Sequence, residues 1–298
     1  MKSHRGGPGG AQQRWLRIAS WAIAVVPAGW GQSRVAQPVY RRVLAGRSPG
    51  EANVRFRGGT RLRLDLSDRN QALAFLTRDY APRLLRFLEK RLRGGGVFVD
   101  VGAHVGLVSI SVAGRRRTNG LAVHAFEPDP ANAAAFSANL RLNPELNVSF
   151  NHAAVGASMG TATLQRSFPI RSHGRVVEGG GPGQGSDASV DVPMVTVDEY
   201  LSEQGIDQVA VLKVDVEGYE PAVLEGAKGF LADGRIECVV CEVNEPCLDA
   251  NGWSAEILYD ALTRHGYSPT PIPPLGLRRI LPRRERGGYE DVAFMRQR

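Results

Sequence analysis

Ionisable side chains close four apolar runs in this chain, where a purely structural buried strand would need none. Asp100 lies in Val97-Phe-Val-Asp-Val-Gly-Ala-His-Val-Gly106, just ahead of Gly102, Ala103, His104 and Gly106. Glu127 follows Leu121-Ala-Val-His-Ala-Phe126, 27 residues after Asp100. Lys213, Asp215 and Glu217 alternate through Val211-Leu-Lys-Val-Asp-Val-Glu-Gly218, and Glu242 and Asn244 end the run 236–244. The first two acids and the glycines have the layout of a nucleotide site. Glycines let the backbone pass close under a ligand, and the helix N-terminus behind them carries unpaired N–H groups. A second acid roughly 20 residues on is the expected ribose ligand. The dinucleotide fingerprint Gly-x-Gly-x-x-Gly is absent, and that fingerprint needs no acid two residues before its first Gly. An acid at position 100 suits a cationic ligand tail, such as the ammonium of a methionyl group, better than a pyrophosphate.

Asn151, at the end of the apolar stretch 148–150, is a candidate for the adenine edge, since an amide both donates and accepts. An Asx turn leading out of the strand accounts for it equally well. Lys213, Asp215 and Glu217 share one face of a strand by its period of two, provided the extension persists that far. Such a group can align an acceptor and take up its proton, and its place at a strand end favours that over a Lys–acid pair that only stabilises the strand. His104 and His152 fall near the same ligand, His104 as a loop or substrate contact. Cys238-x-x-Cys241 lies in an apolar strand pattern, and residues three apart on a strand point to opposite faces, so the two thiols do not close on one metal.

Three strings, Asp100-Val-Gly-Ala-His-Val-Gly106, Ala125-Phe-Glu-Pro-Asp-Pro130 and Val211-Leu-Lys-Val-Asp-Val-Glu-Gly218, resemble in this order the FkbM-type methyltransferases. The resemblance runs from about residue 54 to the C-terminus. It implies an S-adenosylmethionine-dependent enzyme that O-methylates a hydroxyl of a sugar, natural product or other small molecule. Two positions depart from the family pattern: His104 stands where Asn is usual, and Tyr80-Ala81 replaces a frequent Tyr-Glu. In such an enzyme Asp215, Glu217 and Lys213 are the catalytic candidates. Asp100, Gly102, Ala103, His104, Gly106, Glu127 and Asn151 are the cofactor-binding ones. Asp215, Glu242 and Asn244 could also gather round a hard divalent cation, resembling the metal site of catechol-type O-methyltransferases. Hydrogen-bonded carboxylates explain the same residues without one, and no metal is expected. Two other classes fit parts of the pattern: a nicotinamide-dependent oxidoreductase, and a cofactor-binding protein without catalysis.

Alternating strands and helices across 97–243 must position these groups. That alternation predicts a Rossmann-like, doubly wound, mostly parallel sheet with its ligands at the carboxyl ends of the strands. A final antiparallel strand would come from the C-terminal segment. Asp129 and Pro130 form an N-cap and first-turn pair for the second helix, and Thr196-Val-Asp-Glu199 is a capping box. Ahead of the first motif, 54–66 reads as a hairpin turning at Gly58-Gly59, and 71–92 as one helix. Further helices fit 221–231 and 254–265, and weaker strands 267–272 and 291–295. Residues 166–190, rich in Gly, Ser and charge, read as a mobile loop between two strands of an added hairpin.

The chain has 298 residues, 43% hydrophobic and 22% charged, which fits one large globular domain with appendages. Its net charge of +7 is concentrated: residues 1–50 hold eight Lys and Arg and no acid, so the remainder is close to neutral. The body therefore gives no sign of nucleic-acid binding. Residues 1–53 read as a basic extension, disordered or peripheral, and 54–298 as the methyltransferase domain. The apolar core of 15–30 is too short to span a membrane and only loosely mimics a secretory signal. Its tryptophans and arginines suit weak contact with a membrane surface. A cytoplasmic location is expected, with a small-molecule hydroxyl acceptor as partner; the oligomeric state is left open.

Overall fold

The computed structural model describes residues 10–26, 32–45, 50–116, 120–166, 174–178, 189–274 and 289–297. Two helices, α1 (Gly10–Val25) and α2 (Gln32–Val39), precede the hairpin β1 (Glu51–Arg55) and β2 (Arg61–Asp65). Next come α3 (Arg69–Thr77) and α4 (Pro82–Arg91), then β3 (Gly96–Val101), α5 (Leu107–Arg116), β4 (Leu121–Phe126), α6 (Pro130–Arg141) and β5 (Val148–Asn151). A short β6 (Ala154–Val155) leads into β7 (Gly160–Arg166), β8 (Gly174–Glu178) and β9 (Ser189–Val195). The chain continues through α7 (Val197–Glu203), β10 (Val211–Val214), α8 (Glu220–Glu225), α9 (Lys228–Asp233) and β11 (Cys238–Asn244). It ends with α10 (Glu245–Ala250), α11 (Ala255–Thr263), β12 (Tyr267–Pro271) and β13 (Tyr289–Arg296).

The central sheet has the order β12-β13-β11-β10-β3-β4-β5. Its middle strands are parallel, and β13 runs antiparallel to both β11 and β12, as the sequence leads one to expect. Alternation along each strand divides the core between the two faces. Phe98 and Cys238 join the cluster beneath the hairpin and α3–α5, whereas Val99 and Cys241 join the one beneath α7–α9 and α11. The two thiols thus lie on opposite sides of the sheet. Register fixes the functional edge: Val101 pairs with Phe126 on one side and Val214 on the other, so Gly102, Glu127 and Asp215 emerge together.

Asn143, before Pro144, does more than end α6. Its Oδ1 accepts from Arg61 N at 2.9 Å, its Nδ2 donates to Arg61 O at 2.7 Å, and Asn139 Oδ1 accepts from Arg63 N at 2.7 Å. These amides tie the hairpin edge to the C-terminal end of α6.

Four sequence expectations need correction. The helix expected over 71–92 is two helices, because Arg78 (φ 52°) and Ala81 (φ 37°) turn left-handed ahead of Pro82. A proline disfavours helical geometry in the residue before it, which is the signal that was present. The helix expected over 221–231 also breaks, at Gly226, where a Cβ would run into the Gly156 carbonyl oxygen. Within 166–190 the chain forms β8, paired with β7 in a four-stranded sheet of order β6-β9-β7-β8; residues 167–173 and 179–188 lie outside the described residues.

The fourth correction concerns the N-terminus. A domain boundary at 53–54 would cut through β1, and α1 is docked rather than disordered or peripheral. Its Leu16 and Ile23 are buried, and Ser20 Oγ donates to Phe75 O at 2.8 Å in α3. Gln32 Nε2 donates to Ile23 O and Thr77 O, and Arg57 to Ala24 O. Leu16, Ser20 and Ile23 recur at helical spacing, so a narrow buried stripe is legible once the helix is known. Among the described residues no helix is long and apolar enough to cross a membrane. Residues 1–9 and 27–31 lie outside the described residues. Leu16→Ala and Ile23→Ala should each cost about 2–4 kcal/mol in urea unfolding. Trp15→Ala, exposed on the same helix, should stay within about 0.5 kcal/mol of the parent.

Candidate active site

The carboxyl edge of the sheet opens into a cavity of about 530 Å³. Asp100, Gly102, Ala103, His104, Glu127, Lys213, Asp215, Glu217 and Glu242 all line it. Gly106, Asn151 and Asn244 are not among its lining residues.

At its base is a buried ionic triad. Lys213 and Asp100 are register partners on β10 and β3. Lys213 Nζ lies 3.1 Å from Asp100 Oδ1 and 3.1 Å from Asp215 Oδ2. The side chain of Lys213 is 3% exposed, that of Asp100 is 0% and that of Asp215 is 31%. Ser109 Oγ donates to the other Asp100 oxygen at 2.5 Å. Burial alone would lower the Lys213 pKa, but the two carboxylates outweigh it and raise it above the usual lysine range. Lys213 is therefore a fixed cation and not a proton acceptor. With two carboxylates against one ammonium, the triad carries about one negative charge, presented to the cavity through Asp215.

The first turn explains its own sequence. Gly102, His104 and Gly106 have φ of 80°, 52° and 88°. A Cβ at Gly102 would run into the Asp215 carbonyl oxygen. His104 occupies a left-handed position that Asn, Asp and His tolerate better than most residues, which accounts for His in place of Asn. The amide N–H groups of Gly102 and Ala103 donate to Phe126 O, that of Gly106 to Ala103 O, and that of His104 to Glu127 Oε2 at 2.8 Å. Those four donors are engaged within the protein, so the turn is not a pyrophosphate cradle.

Glu127 receives two further donors at Oε1, Asp129 N at 3.0 Å and Asn132 Nδ2 at 3.2 Å. A carboxylate has about four lone-pair sites, which leaves room for a ligand hydroxyl. Burial pushes its carboxyl up, against the pull of His104 and these donors. Asn151 is committed elsewhere: Nδ2 donates to Ala125 O at 3.3 Å and to Tyr200 Oη at 3.1 Å, and Tyr200 Oη also meets His124 Nδ1 at 2.8 Å. Ala153, Ala154 and Val155, just beyond it in the chain, line the cavity instead. His152 is outside too, its Nε2 3.1 Å from Pro128 O.

Strand extension does not carry Glu217 onto the Lys213 face. It sits at φ 55°, followed by Gly218 at 94°, and its Oε2 is 3.6 Å from Cys247 Sγ. It still lines the cavity, from the loop rather than the strand. Two residues missed in the sequence hold this region in place. Tyr80 reaches the cavity from the break between α3 and α4. That break is pinned by Asp79, which accepts from Tyr80 N at 3.0 Å and pairs with Arg115 at 2.7 Å. Burial, then the charge of Asp215, raises the Tyr80 phenol well above its usual value, so it stays neutral. Glu220, wholly buried, braces the loop by accepting from Val216 N at 3.0 Å and Gly218 N at 3.1 Å. An acid directly before Pro221 at a helix start was its one sequence signal.

Asp215 and Glu242 share the cavity, but Asn244 does not complete a ligand set with them. Among the described residues, no group of three or more His, Cys, Asp or Glu is arranged to hold a metal ion.

A mostly parallel sheet with a late antiparallel strand, and an acid-lined cavity at its carboxyl edge, define a Rossmann-like α/β methyltransferase architecture. The sequence profile of the Methyltransferase FkbM domain matches residues 100–269, over half of the chain, and the chain belongs to the FkbM methyltransferase family. It is 30% identical over 204 residues to 31-O-demethyl-FK506 methyltransferase FkbM of Streptomyces tacrolimicus, covering 59% of this chain and 74% of that one. It is 31% identical over 157 residues to Methyltransferase sdnD of Sordaria araneosa, covering 43% and 59%. Methyltransferase FkbM from Methylobacillus flagellatus KT aligns at 18% identity over 90% of this chain and 60% of that one, with a TM-score of 0.42.

The Glu220 carboxyl, pushed up to about 7 by burial, gives a pH test. The folded state holds this proton more tightly than the unfolded chain does. Stability is therefore lost as pH rises from about 4.5 through about 7, by at most about 3 kcal/mol. Glu220→Gln keeps the acceptor for Val216 and Gly218 without the charge. In urea unfolding it should match the parent near pH 5 and be the more stable protein near pH 8.

Proposed function

We propose that this methyltransferase carries a methyl group from S-adenosylmethionine to a hydroxyl of a small, polar acceptor. The observation that supports it most is the first turn, four of whose amide donors are engaged internally while acids face the cavity. That arrangement suits a ligand with cationic groups and no phosphate. Glu127 would take the ribose hydroxyls, and Asp215, with Asp100 behind it, would face the ammonium and sulfonium end. The bound cofactor supplies the electrophilic methyl carbon.

The protein's own tasks are alignment and proton removal. Asp215 and Glu217 line the cavity where an acceptor hydroxyl would approach, and either carboxylate can accept its proton. Lys213 acts by fixing the Asp215 carboxylate. Tyr80, as a neutral phenol, can donate to or accept from the acceptor. Glu51, Arg63, Asp65, Asp68, Asn70 and Gln71 continue the lining along the hairpin and α3, which favours a hydroxyl-rich, sugar-like acceptor over an apolar one. A relative whose name specifies an O-demethyl substrate supports oxygen as the acceptor atom. Carboxylates acting without a metal suffice for this chemistry.

Calorimetry should find S-adenosylmethionine or its demethylated product bound at least a hundredfold more tightly than NAD, a gap of about 2.7 kcal/mol. Tight NAD binding would end this reading. Once an acceptor is in hand, Glu217→Gln should cut turnover by roughly 10²–10⁴-fold with little change in cofactor affinity, and prolonged EDTA treatment should leave the parent's activity unchanged.

A further inference from the structure

Docking of α1 leaves half of a helix unexplained. Leu16, Ser20 and Ile23 face the protein, and Trp15, Ile18, Ala22 and Val25, at i, i+3, i+7 and i+10, face outward. Three of these outer side chains are large and apolar: Trp15 is 71% exposed, Ile18 57% and Val25 78%. Trp21, 64% exposed, flanks them with the Arg78 guanidinium 4.0 Å from its ring centroid. Scattered exposed apolar residues are ordinary, but a contiguous stripe of this kind marks an interaction site.

From this stripe and its charge we infer that α1 docks the enzyme on an anionic lipid bilayer. Residues 1–50 carry Lys2, Arg5, Arg14, Arg17, Arg34, Arg41, Arg42 and Arg47 and not one acid. Arg34 on α2, and Arg41 and Arg42 just beyond its end, are exposed. A second protein surface would have to present a matching field of acids, whereas an anionic bilayer offers apolar depth and negative charge together. Tryptophan suits the boundary between them, with an apolar body and a polar N–H. The contact would be peripheral, since α1 is too short and too polar to span.

The helix is a rigid presenter rather than a loose tail. Ser20 and Gln32 hydrogen-bond into α3 at Phe75 and Thr77. The opposite end of α3 supplies Asn70 and Gln71 to the cavity lining. One helix thus joins the lipid-facing surface to the polar side of the active site, so adsorption holds the cavity at a fixed bearing to the membrane.

The full-length protein should co-sediment with phosphatidylcholine vesicles that contain phosphatidylglycerol, and much less with phosphatidylcholine alone. Binding should weaken as salt is raised. The triple variant Trp15→Ser, Ile18→Ser, Val25→Ser leaves the buried face intact. It should lose at least tenfold in vesicle affinity while keeping its thermal stability and its affinity for S-adenosylmethionine. Should the triple variant fail to fold, Arg41→Gln with Arg42→Gln replaces it, expected to weaken binding to the charged vesicles severalfold. Equal binding by parent and variants, or none by the parent, would overturn the proposal. So would a parent that ignores vesicles but forms a dimer which the triple variant does not, since the face would then belong to a second copy.

Discussion

A lysine buried between two strand ends is the interaction on which the site depends. Removing an ammonium from water costs several kcal/mol even after relaxation, and hydrophobic neighbours return none of it. Lys213 is tolerated because Asp100 lies across the ladder from it and Asp215 closes over it, each at 3.1 Å. The same pairing fixes the relative height of β3 and β10, and so the meeting of the Gly102 turn with the Asp215 carbonyl. It also sets the charge of the site. Two carboxylates against one fixed cation leave a negative residue at the one partly exposed member, where a cationic ligand is best received.

Around the triad, left-handed backbone does the aiming. Gly102, His104 and Gly106 curl the first turn so that four of its amides reach acceptors on Phe126, Ala103 and Glu127. Glu217 and Gly218 swing the loop after β10 off the sheet axis toward Cys247 of α10, and Arg78 and Ala81 break a helix to bring Tyr80 inward. Each non-glycine at such a position carries a local conformational cost, and such costs cluster at functional sites. Buried polar bracing holds them: Glu220 beneath one loop, Asp79 with Arg115 beneath the other.

Much of this was readable from residue order alone. Apolar runs ending in acids gave the parallel strands and the edge where they meet, because side-chain chemistry at a strand end does not depend on distant contacts. The capping pairs at Asp129 and Thr196 were equally legible, being local. What escaped was set by tertiary contact or by a change of backbone sign. Asn151 has an amide fit for an adenine, yet Tyr200, 49 residues away, claims it. Alternation put Glu217 beside Lys213 until a left-handed residue removed it. The N-terminal segment looked detached because its polar stretches and arginines dominate the composition, while six buried residues, Leu16, Ser20, Ile23, Gln32, Ala36 and Leu44, seat it.

The most direct test is a double-mutant cycle on the triad, read as unfolding free energy in urea. Lys213→Met leaves Asp100 buried without its counter-charge and should cost about 3–5 kcal/mol. Adding Asp100→Asn should then recover much of that loss, so the two substitutions are strongly non-additive. A Lys213→Met protein as stable as the parent, or a double variant whose loss is the sum of the single ones, would contradict the claim that this buried cation organises the site.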